Sequence, residues 1–244
     1  MVITSLDNKK IKKYANLNNS KNRYEEGLFI VEGMHLCQEA NNEGILIDIL
    51  TLEDTQLNFD YSGEITYVTS KILNRISSLK SDCKIIGICQ IKMNKKIVGD
   101  HLLLLDGIQD PGNLGTIIRS ACAFNVDTII LSSDCVDIYN EKVLRSTQGM
   151  LFHMNIVYMP LKDVIIKLKE QGYKILGTNV RNGVNIKTIN VSKYCLIMGN
   201  EGRGVSEEIQ EMCDTNIYIK MNQKCESLNV AVATSILLYE LGEK

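Results

Sequence analysis

The sequence predicts an α/β protein: a parallel sheet with helices on both faces, preceded by a smaller α/β domain. Three observations predict it. From residue 101 onward, short apolar runs alternate with helical patterns, as in repeated strand–helix–strand units. His101–Leu105 is almost purely apolar, as expected for a strand buried on both faces. Polar, glycine-rich stretches follow several of these runs, where a parallel sheet places its ligand-binding loops.

The elements read in order as follows. Asn8 to Leu17 is a short basic helix, with Asp7 available as its N-cap. Leu28–Val31 is a strand and Met34–Ala40 a helix. Ile45–Leu52 and Ile65–Val68 are strands rich in β-branched residues. Ser70 is positioned to cap a helix through Ile72–Ile76, and Ile85–Ile91 is a strand. Met93–Asp100, with its lysines and single glycine, reads as the linker. The division is therefore 1–96 and 97–244. In the second block a helix from about Leu114 to Phe124 follows the buried strand. Then come a strand Thr128–Leu131, a helix Asn140–Thr147, a strand Met154–Tyr158, a helix Leu161–Glu170 and a strand Lys174–Thr178. Cys195–Met198 and Asn216–Ile219 are strands, and a last helix runs from about Ser227 to Leu241.

Composition narrows the class. Of 244 residues, 45% are hydrophobic, enough for a substantial core. The formal net charge is −2, but the charge is unevenly placed. Residues 1–24 carry Lys9, Lys10, Lys12, Lys13, Lys21 and Arg23 against Asp7 alone, and residues 71–96 are similarly basic. Residues 25–70 contain no Lys or Arg. These two blocks predict local positive charge in the N-terminal domain, as either a solvated surface or a polyanion footprint. The eight cysteines form no C-x-x-C pair, which predicts reduced thiols. The three histidines lack metal-ligand spacing, so no metal is expected. No apolar run approaches the ~18 residues of a membrane span, and the chain reads as cytoplasmic.

Three loops carry candidate chemistry. The first, residues 106–115, follows the buried strand and opens a helix. Gly112 and Gly115 permit close backbone approach, Asn113 is a suitable N-cap, and Arg119 lies on a largely apolar helix. It contains neither the phosphate-binding P-loop nor the dinucleotide fingerprint. The second loop, 198–204, holds three glycines with Asn200 and Glu201. The third, Cys225 to Val230, leads into an apolar helix, with Ser227 available as cap and Asn229 in the first turn.

Together these stretches carry a resemblance. GNLGTIIRSA (112–121), LIMGNEGRGVS (196–206) and ESLNVAVA (226–233) resemble the three motifs of the SpoU/TrmH RNA 2′-O-ribose methyltransferases, within the SPOUT superfamily. The match covers roughly residues 101–241. ITSLDNKKIKK and GLFIVEG (27–33) resemble the start of that family's small RNA-recruiting domain. The resemblance implies a C-terminal α/β-knot domain with a deep trefoil knot, S-adenosyl-L-methionine as cofactor, and a homodimer whose active site lies near the subunit interface. It assigns Asn113, Arg119, Glu201, Ser227 and Asn229 as the catalytic set. It assigns Thr178, Gly199, Ile219, Met221, Ser227 and Leu228 as cofactor-binding. Glu201 would fix Arg119 or the geometry of its own loop. The implied substrate is RNA, ribosomal in preference to transfer RNA. The sequence departs from the common pattern at Lys220, Gln223 and Ala231, none of which removes a polar group of the catalytic set. The competing readings are a transfer-RNA enzyme, a non-catalytic RNA-binding protein on the same fold, and a nucleotide-dependent α/β enzyme.

Overall fold

The computed structural model describes residues 2–79, 83–92, 96–180 and 183–242. By packing, the chain divides into two compact units: residues 1–93 with 137–153, and residues 94–136 with 154–244. The division read from the sequence follows chain order. Packing does not, because a segment inside the second block folds with the first unit.

The first unit opens with α1 (Lys9–Ala15) and α2 (Ser20–Glu26), the latter not predicted. The cap of α1 is Asn8 rather than Asp7: its side chain accepts the amides of Lys10 and Ile11, whereas Asp7 pairs with Lys12. There follow β1 (Leu28–Glu32), α3 (Met34–Asn42), β2 (Leu46–Thr51), β3 (Glu64–Tyr67), α4 (Ser70–Ile76) and β4 (Ile85–Gln90). Ser70 is the first residue of α4, not its cap. Thr69 holds that position without a side-chain bond. The four strands form a mixed sheet in the order β1-β4-β2-β3. Ile11 and Leu17 pack with Ile72, Leu73 and Ile76 of α4 into its core.

α6 (Glu141–Thr147) belongs to this unit. Its attachment is both apolar and ionic. Tyr139 stacks on Phe29 with ring centroids 4.5 Å apart. Arg23, only 5% exposed, pairs with Asp137 at 2.5 Å and also donates to the carbonyls of Leu17 and Asn18. His153 lies between Glu39 and Glu43, at 3.1 and 3.2 Å.

The second unit contains β5 (His101–Asp106), α5 (Pro111–Ala123), β6 (Thr128–Leu131), β7 (Asn155–Tyr158), α7 (Leu161–Glu170) and β8 (Lys174–Thr178). It continues with the short β9 (Val184–Asn185), β10 (Tyr194–Gly199), α8 (Glu207–Glu211), β11 (Thr215–Tyr218) and α9 (Val230–Gly242). All seven strands are parallel, in the order β7-β6-β5-β10-β8-β11-β9. Side chains alternate across a strand. Leu102 and Leu104 therefore join the core formed with α7 and Ile209 of α8, while Leu103 and Leu105 face the other way. On that second face α5 packs against α9. Apart from His101 at the start of β5, the central strands β5 and β10 are buried, which explains their largely apolar sequences.

All eight cysteines are free thiols, and burial raises the Cys37 and Cys195 thiols well above the ordinary value. Among the described residues, no cluster of His, Cys, Asp or Glu is arranged to hold a metal, and no helix is long and apolar enough to cross a membrane.

Candidate active site

Three segments at the carboxyl ends of β5, β10 and β11 build the site. At the end of β5, Asp110 caps α5: its Oδ1 accepts the Asn113 amide at 2.8 Å, and Pro111 occupies a position where no amide hydrogen is needed. The cap is thus Asp110, not Asn113, and Asn113 sits in the first helical turn with its side chain free for other contacts. A parallel shift occurs at α9. Ser227 lies before the helix, and Asn229 is the cap, its Oδ1 accepting the amides of Ala231 and Val232 at 2.9 and 3.2 Å.

The consequence is a hydrogen-bonded line through all three segments. Glu201, in the loop after β10, accepts from Asn113 Nδ2 at 3.0 Å and from the backbone amides of Asp110 and Gln109 at 3.1 and 3.3 Å. An ionised carboxylate only accepts, so Asn113 must turn its NH₂ toward Glu201. Its carbonyl then faces Asn229, whose Nδ2 donates to it at 2.8 Å. Every amide orientation in the line is thereby fixed. Burial pushes the Glu201 carboxyl upward, but the donors from Asn113 and the backbone outweigh it and hold it below the usual carboxylate range.

A second set of bonds shapes the loop that carries Glu201. Asn200 Nδ2 donates to the Gly107 carbonyl at 2.7 Å, and its Oδ1 accepts from Gly202 and Arg203. Arg203 in turn reaches Asp134 at 2.8 Å. A hydrogen bond from Ser132, aided by Arg203, holds the Asp134 carboxyl below its ordinary range despite the opposing effect of burial. Gly199 is required by space: a Cβ there would lie 2.0 Å from the Val205 nitrogen. Gly107 is required by conformation as well as space, with φ at +73° and Arg203 Nη2 2.6 Å from an added Cβ. Asp134 went unnoticed in the sequence. Its one signal there is its place just beyond a strand end.

These segments enclose a cavity of about 560 Å³, within the usual range for small-molecule sites. Its lining includes Asn113, Glu201, Ser227 and Asn229 of the expected catalytic set, and Thr178, Gly199, Ile219, Met221 and Leu228 of the expected cofactor set. Met198, Ile217 and Leu237 add apolar wall. The mixture suits a ligand with an apolar ring and a polar tail. The Thr178 hydroxyl is already bonded to the Ile197 carbonyl at 2.9 Å, so it lines the cavity without an uncommitted donor.

Arg119 stands apart. It does not line the cavity, is exposed on α5, and has no hydrogen bond or ion pair among the described residues. Of the two roles expected of Glu201, it does not hold Arg119 among the described residues and instead fixes loop geometry through the Gln109 and Asp110 amides and Asn113. Arg119 lies six residues beyond Asn113, about 9 Å further along the helix, and the nearer Asn113 takes the carboxylate.

Comparison with known proteins then places the molecule. A family model described as the SpoU rRNA Methylase family matches residues 100–239, and one described as an MRM3-like substrate binding domain matches residues 8–87. A Bacillus subtilis protein, 23S rRNA (guanosine(2553)-2′-O)-methyltransferase RlmP, is 37% identical over 98% of both chains. Among solved structures, an rRNA methyltransferase from Sinorhizobium meliloti superposes with a TM-score of 0.87 at 29% identity, covering 98% of this chain and 96% of that one. The same enzyme with bound AdoMet gives a TM-score of 0.86 at the same identity and coverage.

Proposed function

The chain belongs to the SpoU rRNA methylase family, and on that premise we propose that it transfers a methyl group from S-adenosyl-L-methionine to a ribose 2′-hydroxyl of 23S ribosomal RNA. The observation that carries the reading is the line Glu201–Asn113–Asn229, which joins the three motif loops in the lining of one ligand-sized cavity.

Each part of the site has a distinct task in this reading. Gly199, Ile219, Met221 and Leu228 would hold the adenosyl portion of the cofactor, with Thr178 and Ser227 at its polar edge. When bound, the cofactor supplies an electrophilic methyl group on a good leaving group. The protein must therefore position the ribose and accommodate the developing alkoxide. Asn113 and Asn229, their amides locked by Glu201, would orient the 2′-hydroxyl, together with the Ser227 hydroxyl. Arg119 would hold the target phosphate or stabilise the alkoxide as a permanent cation. A guanidinium keeps its charge in proteins, which disfavours a role as base.

The exposed position of Arg119 supports a homodimer. It occupies the solvent side of α5, which packs with α9, where Val232 and Tyr239 are each 48% exposed. A second copy covering this face would bring Arg119 to a shared site. The strand order, with β10 inserted between β5 and β8, supports a trefoil knot in the 97–244 domain. The 1–96 domain would recruit RNA. Action on ribosomal RNA supports a cytoplasmic location.

The test is transfer of labelled methyl from S-adenosylmethionine to ribosomal RNA from cells lacking the protein, followed by mapping. A new 2′-O-methylguanosine in 23S RNA is the expected product. Label in transfer RNA alone would reassign the substrate. Cofactor binding without transfer to any RNA would make the chain a binding protein.

A further inference from the structure

A second cavity, of about 510 Å³, lies in the first unit, well away in sequence from every motif of the methyl-transfer site. Its construction follows from the sheet. β1 runs out at Glu32, β2 at Thr51, and the antiparallel β4 enters at Ile85. The registers Glu32↔Ile86 and Thr51↔Ile85 bring these three ends together. The floor is pinned by the Gly33 amide donating to the Ile85 carbonyl at 3.1 Å, and by the Thr51 hydroxyl donating to the Lys84 carbonyl at 2.9 Å. Met34, Leu52 and Leu79 give apolar walls, and Asp54, Gln56 and Lys84 stand at the lining.

Those last three residues differ from the basic residues near the N-terminus. Lys10, Lys12, Lys13 and Arg23 are all engaged with carboxylates. The side chains of Asp54, Gln56 and Lys84 are exposed and make no hydrogen bond or ion pair among the described residues. An apolar floor bordered by a carboxylate, an amide and an ammonium group that make no bond among the described residues matches one ligand chemistry well. A nucleobase offers flat apolar faces and an edge of donors and acceptors, and its flanking phosphate is anionic. Sequence-specific RNA recognition takes this form, with an unstacked base splayed into a protein pocket and read along its edge.

We propose that this cavity receives one unpaired base of the RNA substrate, with Gln56 and Asp54 bonding its edge and Lys84 pairing with an adjacent phosphate. The inference rests on the RNA-methyltransferase reading above and adds where substrate selection occurs: at a pocket separate from the one that performs the chemistry.

The experiment uses the full chain and the variants Asp54→Asn, Gln56→Ala and Lys84→Ala, all at exposed positions. Three quantities are measured: S-adenosylmethionine affinity, affinity for unmodified ribosomal RNA at several salt concentrations, and affinity for a blunt-ended duplex RNA. Cofactor affinity is expected to match the parent in all three. Asp54→Asn and Gln56→Ala are each expected to weaken ribosomal RNA binding roughly tenfold, without changing the salt slope and without affecting the duplex. Lys84→Ala is expected to lower the slope of log affinity against log salt by about 0.7, the single-strand value for one phosphate contact. Parental RNA affinity and slope in all three variants, with methyl transfer by the parent intact, would overturn the base pocket and leave the enzymatic reading standing. That result would also be the signature of a protein occupant. A parent chain that neither binds nor methylates ribosomal RNA would overturn both.

Discussion

The two units treat their polar residues in opposite ways. In the second unit, Asn113, Glu201 and Asn229 come from segments 28 to 116 residues apart and bond to one another. In the first unit, five of the six basic residues of the 1–24 block meet carboxylates. Lys10 meets Asp48 and Glu64, Lys12 meets Asp7, Lys13 meets Glu26, and Arg23 meets Asp137. The difference separates two kinds of sequence signal. A motif specifies which residues converge. A count of charges does not specify which remain unpaired, because local carboxylates cancel them.

The largest effect that would sharpen this contrast is at Arg119, a member of the expected catalytic set that, like Ser227, stands outside the hydrogen-bonded line. Arg119→Ala is expected to cut methyl transfer by roughly 10²–10³-fold while leaving S-adenosylmethionine affinity close to the parent. Single-turnover transfer and equilibrium dialysis measure the two separately. Equal loss of both would make Arg119 part of the cofactor pocket and erase its separation from the line.

In the first unit the largely buried pair Arg23–Asp137 is structural. Asp137→Ala leaves Arg23 buried without its carboxylate, and a broken buried pair costs about 3 kcal/mol. Chemical denaturation should show that loss. Burial raises the Asp137 carboxyl, but Arg23 and the Tyr139 amide overcome this and lower it below the ordinary value. A lowered native pKa contributes stability that is present above the unfolded value of about 3.9 and is lost as pH falls through the native value. The parent and Asp137→Ala should therefore differ fully at neutral pH and converge only in strong acid. A difference that persists at the lowest pH would mean that apolar contacts, not the ion pair, hold 137–153 in the first unit.

A smaller effect tests the line itself. Asn229 both caps α9 and donates to Asn113. Asn229→Ala removes both functions and is expected to lower stability by about 1 kcal/mol along with activity. Asn229→Asp retains the cap but loses the amide donor, so stability should hold while transfer falls. If Asn229→Asp keeps parental transfer, the fixed orientation of Asn113 is not needed.

The legible and illegible parts of the sequence follow the same division. The strands of the second unit were readable because burial on both faces demands continuous apolar runs, as in Leu102–Leu105. The motif positions around the cavity were readable through family resemblance. Caps were misplaced because Asp, Asn and Ser cap equally well, and only backbone geometry selects Asp110 over Asn113 or Asn229 over Ser227. The short α2 was missed because SKNRYEE contains no apolar periodicity. Residues 137–153 were assigned to the wrong neighbours by chain order. No local feature states that Asp137 will meet Arg23, 114 residues earlier.

The smallest expected effect bears most directly on the charge count. The basic block at residues 1–24 suggests phosphate contacts from Lys9, Lys10, Lys12 and Lys13. The structure distinguishes among them. Lys10 is held by the buried Asp48 and by Glu64, which together raise its pKa against the lowering effect of burial. Lys12 and Lys13 each have a carboxylate at 2.7 Å, whereas Lys9 is exposed and has no partner among the described residues. Exposed pairs contribute little to stability, so Lys12→Ala with Lys13→Ala should leave denaturation unchanged. Their local charge is nearly cancelled, so the same double variant should shift the salt slope of RNA binding by less than a single phosphate contact, about 0.7. Lys71 and Arg75, on the exposed side of α4 and without partners among the described residues, supply the contrast. Replacing Lys9, Lys71 and Arg75 together should flatten the slope by about 2, at about 0.7 for each cation that meets a single-stranded phosphate. Measuring affinity at several salt concentrations for both variants decides the matter. If the double variant flattens the slope as much as the triple, local pairing does not silence these lysines, and the charge count in the sequence was the better guide.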